Sequence, residues 1–495
     1  MKVYKIFRAS YYFKITGIML ILTTVLIFSF ISCNRRKQKP NIVFILADDQ
    51  GWKDAGFMGS KFYETPAIDR LAASGKIFTN AYSNAPNCAP SRAALLTGLY
   101  SPRTGIYTVG SSERGKSVYR RLIPIPNKTI LDTSFTTIAE VLKQNGYVCA
   151  SIGKWHLGED PLTGPLNQGF DKNIGGWHLG HPKSYFSPYG NPALEDGSKG
   201  EYLTDRLTEE AIKFIKENRS KPFLLYFPHY AIHTPLQGKD SIIQKFKNKP
   251  PDGEQKNPVY ASMVKSLDES VGKIVQTLSD LDIVKNTLVI FTSDNGGYGP
   301  ATSMKPLRGS KGMLYEGGIR EPFIVSWPGR IKAGKKSEEP ILFIDLFPTL
   351  LRITHSKYNK EIPFDGIALD KLFLKNQPLG KRPLFWYFPA YLERYKGVPD
   401  IWRTTPVAAV RYGDWKLIRF FEREEPELYN LKEDIGETND LSKKYPEQRV
   451  ELDSILHYWI KITHASVPVT WNPEFDESAY QQRLQQIISK ENEKK

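Results

Sequence analysis

Cysteine is scarce: the 495 residues contain three, Cys33, Cys88 and Cys149. A chain with so few cannot be held by a disulfide framework, so its stability must come from an ordinary core. No internal repeat organises it, and with 12% aromatics its composition gives no case for wholesale disorder. No RNA- or DNA-binding motif accompanies its formal net charge of +15. Eight of the excess positive charges precede residue 40: Lys2, Lys5, Arg8, Lys14, Arg35, Arg36, Lys37 and Lys39. The remainder leaves a moderately basic body, which reads as a solvated basic surface or as attraction to anionic substrates rather than to nucleic acid.

The first 33 residues have the order of an export signal. A basic segment is followed by the apolar run from Ile15 to Ile31 and then by Ser32-Cys33. A small residue before cysteine at that point resembles a bacterial lipoprotein cleavage site, although Phe30 replaces the usual aliphatic residue. The expectation is a signal peptide over 1–32, lipidation at Cys33 and a basic tether over 33–40. The alternative is an uncleaved anchor, since about 17 residues span roughly 25 Å as a helix. Either way the body is exported and tethered to a membrane. Lacking an acidic surface-export pattern after Cys33, it is expected on the periplasmic side.

At this length two domains are expected. Asn41–Ala47 and Thr287–Ser293 are short, largely apolar runs, as strands buried on both faces are. Further strands are expected over 147–152, 222–227 and 322–327, with helices over 65–75, 135–145, 203–218, 260–281 and 341–353. This alternation predicts an α/β domain over 41–380, a large mixed, mostly parallel sheet flanked by helices. Near 380 the pattern turns to short strands, with helices over 445–463 and 476–490. That predicts a smaller C-terminal α+β domain over 381–495, built on a short antiparallel sheet and ending in a charged tail.

In open α/β sheets ligands gather beyond the carboxyl ends of the strands. Here those ends carry Asp48-Asp49, Asp294-Asn295, Lys154 with His156, and a loop containing His229 and His233. Asp48, Asp49, Asp294 and Asn295 offer hard oxygen ligands, which suit calcium or magnesium better than zinc. Taken singly, each pair reads equally well as turn residues. Lys154 and His156, two apart in an extended segment, point to one side. His233 precedes a Thr-Pro turn, and Lys311 lies in the flexible Leu307–Gly312 loop. Cys149 falls in an apolar run and reads as inert core. Cys88 opens Cys88-Ala89-Pro90-Ser91-Arg92, where Pro90 suits the first helical position and the cysteine faces free N–H groups. Such a place favours an anion or an activated nucleophile.

The segments NIVFILADDQG, CAPSRAALLTG, GKWHLG, HTP, SDNGG and LRGSKGMLYEGGIREP, in that order, resemble the type I sulfatases of the alkaline phosphatase superfamily. The run RYGDWKLI followed by ELYNL is similar to the small domain of that family. The resemblance implies that a maturation enzyme oxidises Cys88 to formylglycine (3-oxoalanine). Its hydrate, held by a cation on Asp48, Asp49, Asp294, Asn295 and residue 88, attacks sulfur and forms a covalent sulfo-enzyme intermediate. It further implies His233 as general acid, with Lys311 beside it at the leaving oxygen. His156 is the base for sulfate release, and Arg92, Lys154 and Lys311 neutralise the sulfuryl oxygens. The expected substrate is a sulfated carbohydrate, a galactose or N-acetylhexosamine sulfate of a polysaccharide or glycosaminoglycan. Trp177 and His178 are candidate sugar contacts, as is the 108–121 loop with Glu113, Arg114, Arg120 and Arg121. Two alternatives stand beside this: a phosphate or phosphonate ester hydrolase of the same superfamily, and a non-catalytic glycan-binding lipoprotein. All expected catalytic side chains are present, which counts against the second.

Overall fold

The computed structural model describes residues 39–493; the export signal, Cys33 and most of the tether lie outside them. In strand β1 (Asn41–Ala47) all seven residues are buried. Its side chains alternate between two cores, with Val43, Ile45 and Ala47 in one and Ile42, Phe44 and Leu46 in the other. A strand that is apolar on both faces needs cover on both, and helices provide it.

The same sheet contains β2 (Lys76–Tyr82), β3 (Val148–Ile152), β4 (Lys172–Ile174), β5 (Phe223–Pro228), β6 (Thr287–Ser293), β7 (Arg320–Ser326), β8 (Lys335–Ser337) and β9 (Ile341–Leu342). Its order is β4-β3-β5-β1-β6-β7-β2-β8, with β9 also pairing β2. The pairings are parallel except those of β7 with β6 and with β2. The sheet is therefore mixed and mostly parallel, as expected. β2 has no clean apolar run, because Thr79-Asn80 interrupts it at a register shift. Helices α1 (Pro66–Ser74), α2 (Cys88–Thr97), α3 (Ile138–Gln144), α4 (Leu203–Asn218), α5 (Pro258–Asp280) and α6 (Leu346–Ile353) complete the layers. Residues of α1, α4 and α5 fill one core and those of α2, α3 and α6 the other. Cys149 is fully buried in the second.

The chain then forms β10 (Pro383–Phe388), β11 (Leu392–Glu393), β12 (Trp402–Thr404), β13 (Val407–Tyr412), β14 (Trp415–Phe420) and β15 (Glu427–Asn430). β10-β13-β14-β15 is an antiparallel sheet and β11-β12 a two-stranded ribbon. Helix α7 (Pro446–Ile462) packs on the sheet through Leu452, Leu456 and Trp459, and α8 (Glu477–Asn492) follows. This core also takes Tyr82 from β2 and Ala94 from α2, so the small sheet shares its interior with the large one. A buried ion cluster reinforces the join. Lys416 on β14 places its Nζ 2.9 Å from Glu316 and 2.8 Å from Glu437, with all three side chains fully buried. No described helix is long and apolar enough to cross a membrane.

Candidate active site

β1 delivers Asp48 and Asp49 to the end of the sheet. Successive residues of an extended chain point to opposite sides. Asp49 escapes that rule through a left-handed backbone, with φ of 61°. Both carboxylates consequently reach Cys88, whose Sγ lies 3.5 Å from Asp48 Oδ1 and 3.9 Å from Asp49 Oδ1. Asp294, at the end of the adjacent strand β6, accepts the Asp49 N–H at 3.2 Å. Asn295 donates to Asp49 at 2.8 Å, while its own Oδ1 is buried without a partner.

Cys88 is the first residue of α2, preceded by Asn87 as cap. The helix thus begins two residues before Pro90, which falls in the third position. None of the first-turn N–H groups has an intrahelical acceptor, so proline costs nothing there either. One turn on, Arg92 is wholly buried and places Nε and NH2 on Asp294 Oδ2 at 2.9 and 2.7 Å. NH2 is also 3.9 Å from Asp48.

Lys154 follows β3, with its N–H bonded to the Pro228 carbonyl at the end of β5 and its Nζ 2.6 Å from Asp48. His156 reaches the cleft not from an extended segment but from a left-handed residue, with φ of 65°. Its ring lies flat against Gly180, where a Cβ would come within 2.2 Å of Cε1. His233 stands beyond β5, its Nε2 3.6 Å from Asp49 and its Nδ1 2.8 Å from the Thr234 carbonyl. His229 is buried against Ser270 and Phe227, away from the cleft. Lys311 bridges Asp49 at 2.7 Å and Cys88 Sγ at 3.4 Å.

The charges tune one another. Burial raises the Asp48 carboxyl well above its ordinary value, with Lys154 opposing. Burial pushes Asp49 the same way, but Lys311 and His233 override it and hold that carboxyl low. Lys311 loses solvent, yet Asp49 keeps its ammonium firmly protonated. Burial and Lys154 hold the His156 imidazole far below its usual range, so it is neutral in this cleft. Burial, reinforced by Lys311, brings His233 down to about 4. Of His233 and Lys311, the lysine is the one that holds its proton at neutral pH.

Ligand atoms of Asp48, Asp49, Cys88 and His233 lie within 4.8 Å of one another. With Asp294 and the orphaned Asn295 oxygen, the donor set is rich in hard oxygen and fits calcium or magnesium. A cation there would polarise and acidify the oxygens it holds.

Cys88 opens into a cleft of about 460 Å³ lined also by His156, His233, Lys311, His178, His181, Arg114 and Arg403. Two expectations need correction. Trp177 does not face the cleft: it is 5% exposed in the main core, because His156 N–H bonds its carbonyl and draws the loop inward. Of the 108–121 loop, Arg114 lines the cleft, whereas Arg120 donates to the Arg114 and Gly115 carbonyls and Arg121 pairs with Glu477 at 3.1 Å. His178 does line it, paired through Nδ1 with Glu159. His181, in the same candidate loop of residues 176–182, lines the cleft as well and stacks on His233, whereas sequence reasoning missed Arg403 on β12.

A family model described as Sulfatase matches residues 40–356, and one described as N-sulphoglucosamine sulphohydrolase, C-terminal, matches 310–460. A sulfatase of Formosa agariphila is 33% identical over 500 residues, covering 86% of this chain and 89% of its own. The N-acetylgalactosamine-6-sulfatase of Mus musculus is 38% identical over 379 residues, covering 71% of this chain and 69% of its own. The solved structure of Ps i-CgsB in complex with k-i-k-neocarrahexaose has a TM-score of 0.72 at 31% identity, covering 91% of this chain and 98% of that one. The chain belongs to the sulfatase family, has the type I sulfatase fold of the alkaline phosphatase superfamily, and is a sulfuric ester hydrolase.

Proposed function

We propose that the enzyme removes sulfate from carbohydrate, a galactose or N-acetylhexosamine sulfate of a polysaccharide or glycosaminoglycan. The observation that carries this is the position of residue 88, at the floor of an open cleft between two carboxylates and Lys311. Similarity to N-acetylgalactosamine-6-sulfatases and to a structure holding k-i-k-neocarrahexaose supports a sugar substrate.

In this reading Cys88 is matured to formylglycine by a dedicated enzyme, and the hydrated aldehyde supplies an oxygen nucleophile. One hydroxyl, deprotonated to solvent beforehand in the positive field around residue 88, attacks sulfur as the sugar oxygen departs with a proton from the His233–Lys311 pair. Sulfate is left as an ester on residue 88. Neutral His156 then takes the proton of the second hydroxyl, the bond to sulfate breaks, and the aldehyde returns. Arg92, Lys154 and Lys311 set the positive field for the sulfuryl oxygens.

A sulfate ester carries one negative charge and a phosphate monoester nearly two. Three ammonium or guanidinium groups against three carboxylates, with one divalent cation, suit the smaller charge. Turnover of aryl sulfate, aryl phosphate and sulfated sugars tests this. Sulfate esters are expected to be preferred, and preference for aryl phosphate would overturn the assignment.

The order of basic segment, apolar run and Ser32-Cys33 supports export and a lipid tether at Cys33, facing the periplasm. In the native host, mass spectrometry is expected to find a mature N-terminus at Cys33 carrying lipid. An intact N-terminus with unmodified Cys33 would argue for an uncleaved anchor.

A further inference from the structure

The cleft carries more positive charge than one sulfate requires. The cations around residue 88 are already matched: Lys154 by Asp48, Lys311 by Asp49 and Arg92 by Asp294. Arg114 and Arg403 line the same cleft in addition. Among the described residues neither guanidinium forms an ion pair within 4 Å. Arg114 donates to the Val109 carbonyl and feels Glu393 from farther away. Arg403 lies 5.0 Å from the Tyr395 ring, and its Nε is buried with no acceptor.

Their placement is constrained. At Gly312, where φ is +87°, a Cβ would stand 2.8 Å from Arg403 Nε, so the guanidinium lies directly on the backbone beside Lys311. Burial lowers the proton affinity of Arg403; Tyr395 opposes this and Arg114, lining the same cleft, lowers it further. Holding two half-buried guanidiniums together without a counter-ion is unfavourable. An anion arriving from solution would remove that penalty.

We infer that Arg114 and Arg403 form a second anion subsite, holding a sulfate or carboxylate of the substrate other than the sulfate being hydrolysed. This rests on the reading of the enzyme as a carbohydrate sulfatase. Arg403 abuts Gly312, and the adjoining Lys311 reaches Cys88 Sγ at 3.4 Å. The second anion therefore belongs to the same sugar or its immediate neighbour. A planar guanidinium can grip either a sulfate edge or a carboxylate through two donors. The substrate class is thus a multiply anionic saccharide.

Calorimetry on the Cys88→Ala variant separates binding from turnover. Three probes are compared: monosulfated N-acetylgalactosamine, the same sugar with two sulfates, and a disaccharide joining the monosulfated sugar to a uronate. One of the dianionic probes is expected to bind about 10- to 100-fold more tightly than the monosulfate. The advantage should shrink as salt is raised and collapse when Arg114→Gln or Arg403→Gln is added. Which dianion gains identifies sulfate or carboxylate as the recognised group. Equal affinity for all three probes, or an advantage that survives either folded variant, overturns the subsite. Arg114 sits in a half-exposed loop, so its variant decides the matter if Arg403→Gln does not fold. The sulfatase reading fails separately, if matured wild-type enzyme turns over neither an aryl sulfate nor any of the three probes.

Discussion

Cys88→Ala is expected to abolish turnover, by on the order of 10⁴- to 10⁶-fold in kcat, while leaving fold and ligand binding in place. The side chain is small and 1% exposed, and its contacts are with Asp48, Asp49 and Lys311 rather than with the core. Removing sulfur should therefore cost little stability. Cys88→Ser, produced without the proposed maturation enzyme, distinguishes the roles proposed for the two hydroxyls of the hydrated aldehyde. A serine oxygen at this position can attack sulfur but has no second hydroxyl on the same carbon to expel the sulfate. The expected result is one turnover, followed by a stable sulfate ester on residue 88 visible in the intact mass. Multiple turnover by the unmodified Cys88→Ser variant would show that release needs no aldehyde. Substantial activity in Cys88→Ala would place the nucleophile on another residue.

How much of this is legible in the chain depends on how local the cause is. Asn41–Ala47 and Thr287–Ser293 announce themselves because strands buried at seven successive positions are mostly apolar on both faces. Each ends in its acidic or amide pair, so the oxygen-rich centre can be read directly. β2 cannot, because Thr79-Asn80 breaks its pattern, and its place beside β7 is fixed by packing far along the chain. The start of α2 lies two residues before the one Pro90 suggests, since proline is permitted anywhere in a first turn. Lys154 and His156 are legible as cleft residues, but the left-handed backbone that turns His156 has no sequence signature beyond the glycines around it. Trp177 misleads for a similar reason. An aromatic in a polar loop looks exposed until backbone bonds fold the loop under. Arg403 is the most telling omission. It lies on a short ribbon strand whose neighbourhood contains no chemistry-bearing motif, and only tertiary packing brings it to Gly312.

Arg92→Ala is expected to destabilise the cation-free enzyme by about 3–5 kcal/mol, the usual cost of stranding a buried charge. Its guanidinium is the only group that neutralises Asp294 by an ion pair among the described residues, through two donors on one oxygen. It also stands 3.9 Å from Asp48, whose carboxyl is already pushed up by burial and by Asp294. Without Arg92 these two carboxylates face each other at zero exposure with Lys154 alone to balance them. Arg92→Lys should recover little, because a single ammonium on a shorter reach cannot hold Asp294 and the Lys154 carbonyl together. If the same carboxylates hold the proposed calcium, stability depends on it. Adding calcium to a hundred times its dissociation constant should raise wild-type stability by about 2.7 kcal/mol over chelator. In the variant the gain should be larger, since the ion then replaces a missing positive charge as well as filling its own place. Urea unfolding of both proteins, in chelator and in saturating calcium, reads this difference. If Arg92→Ala loses the same stability in both conditions, the arginine and the cation do not share the Asp48–Asp294 field, and calcium is bound elsewhere.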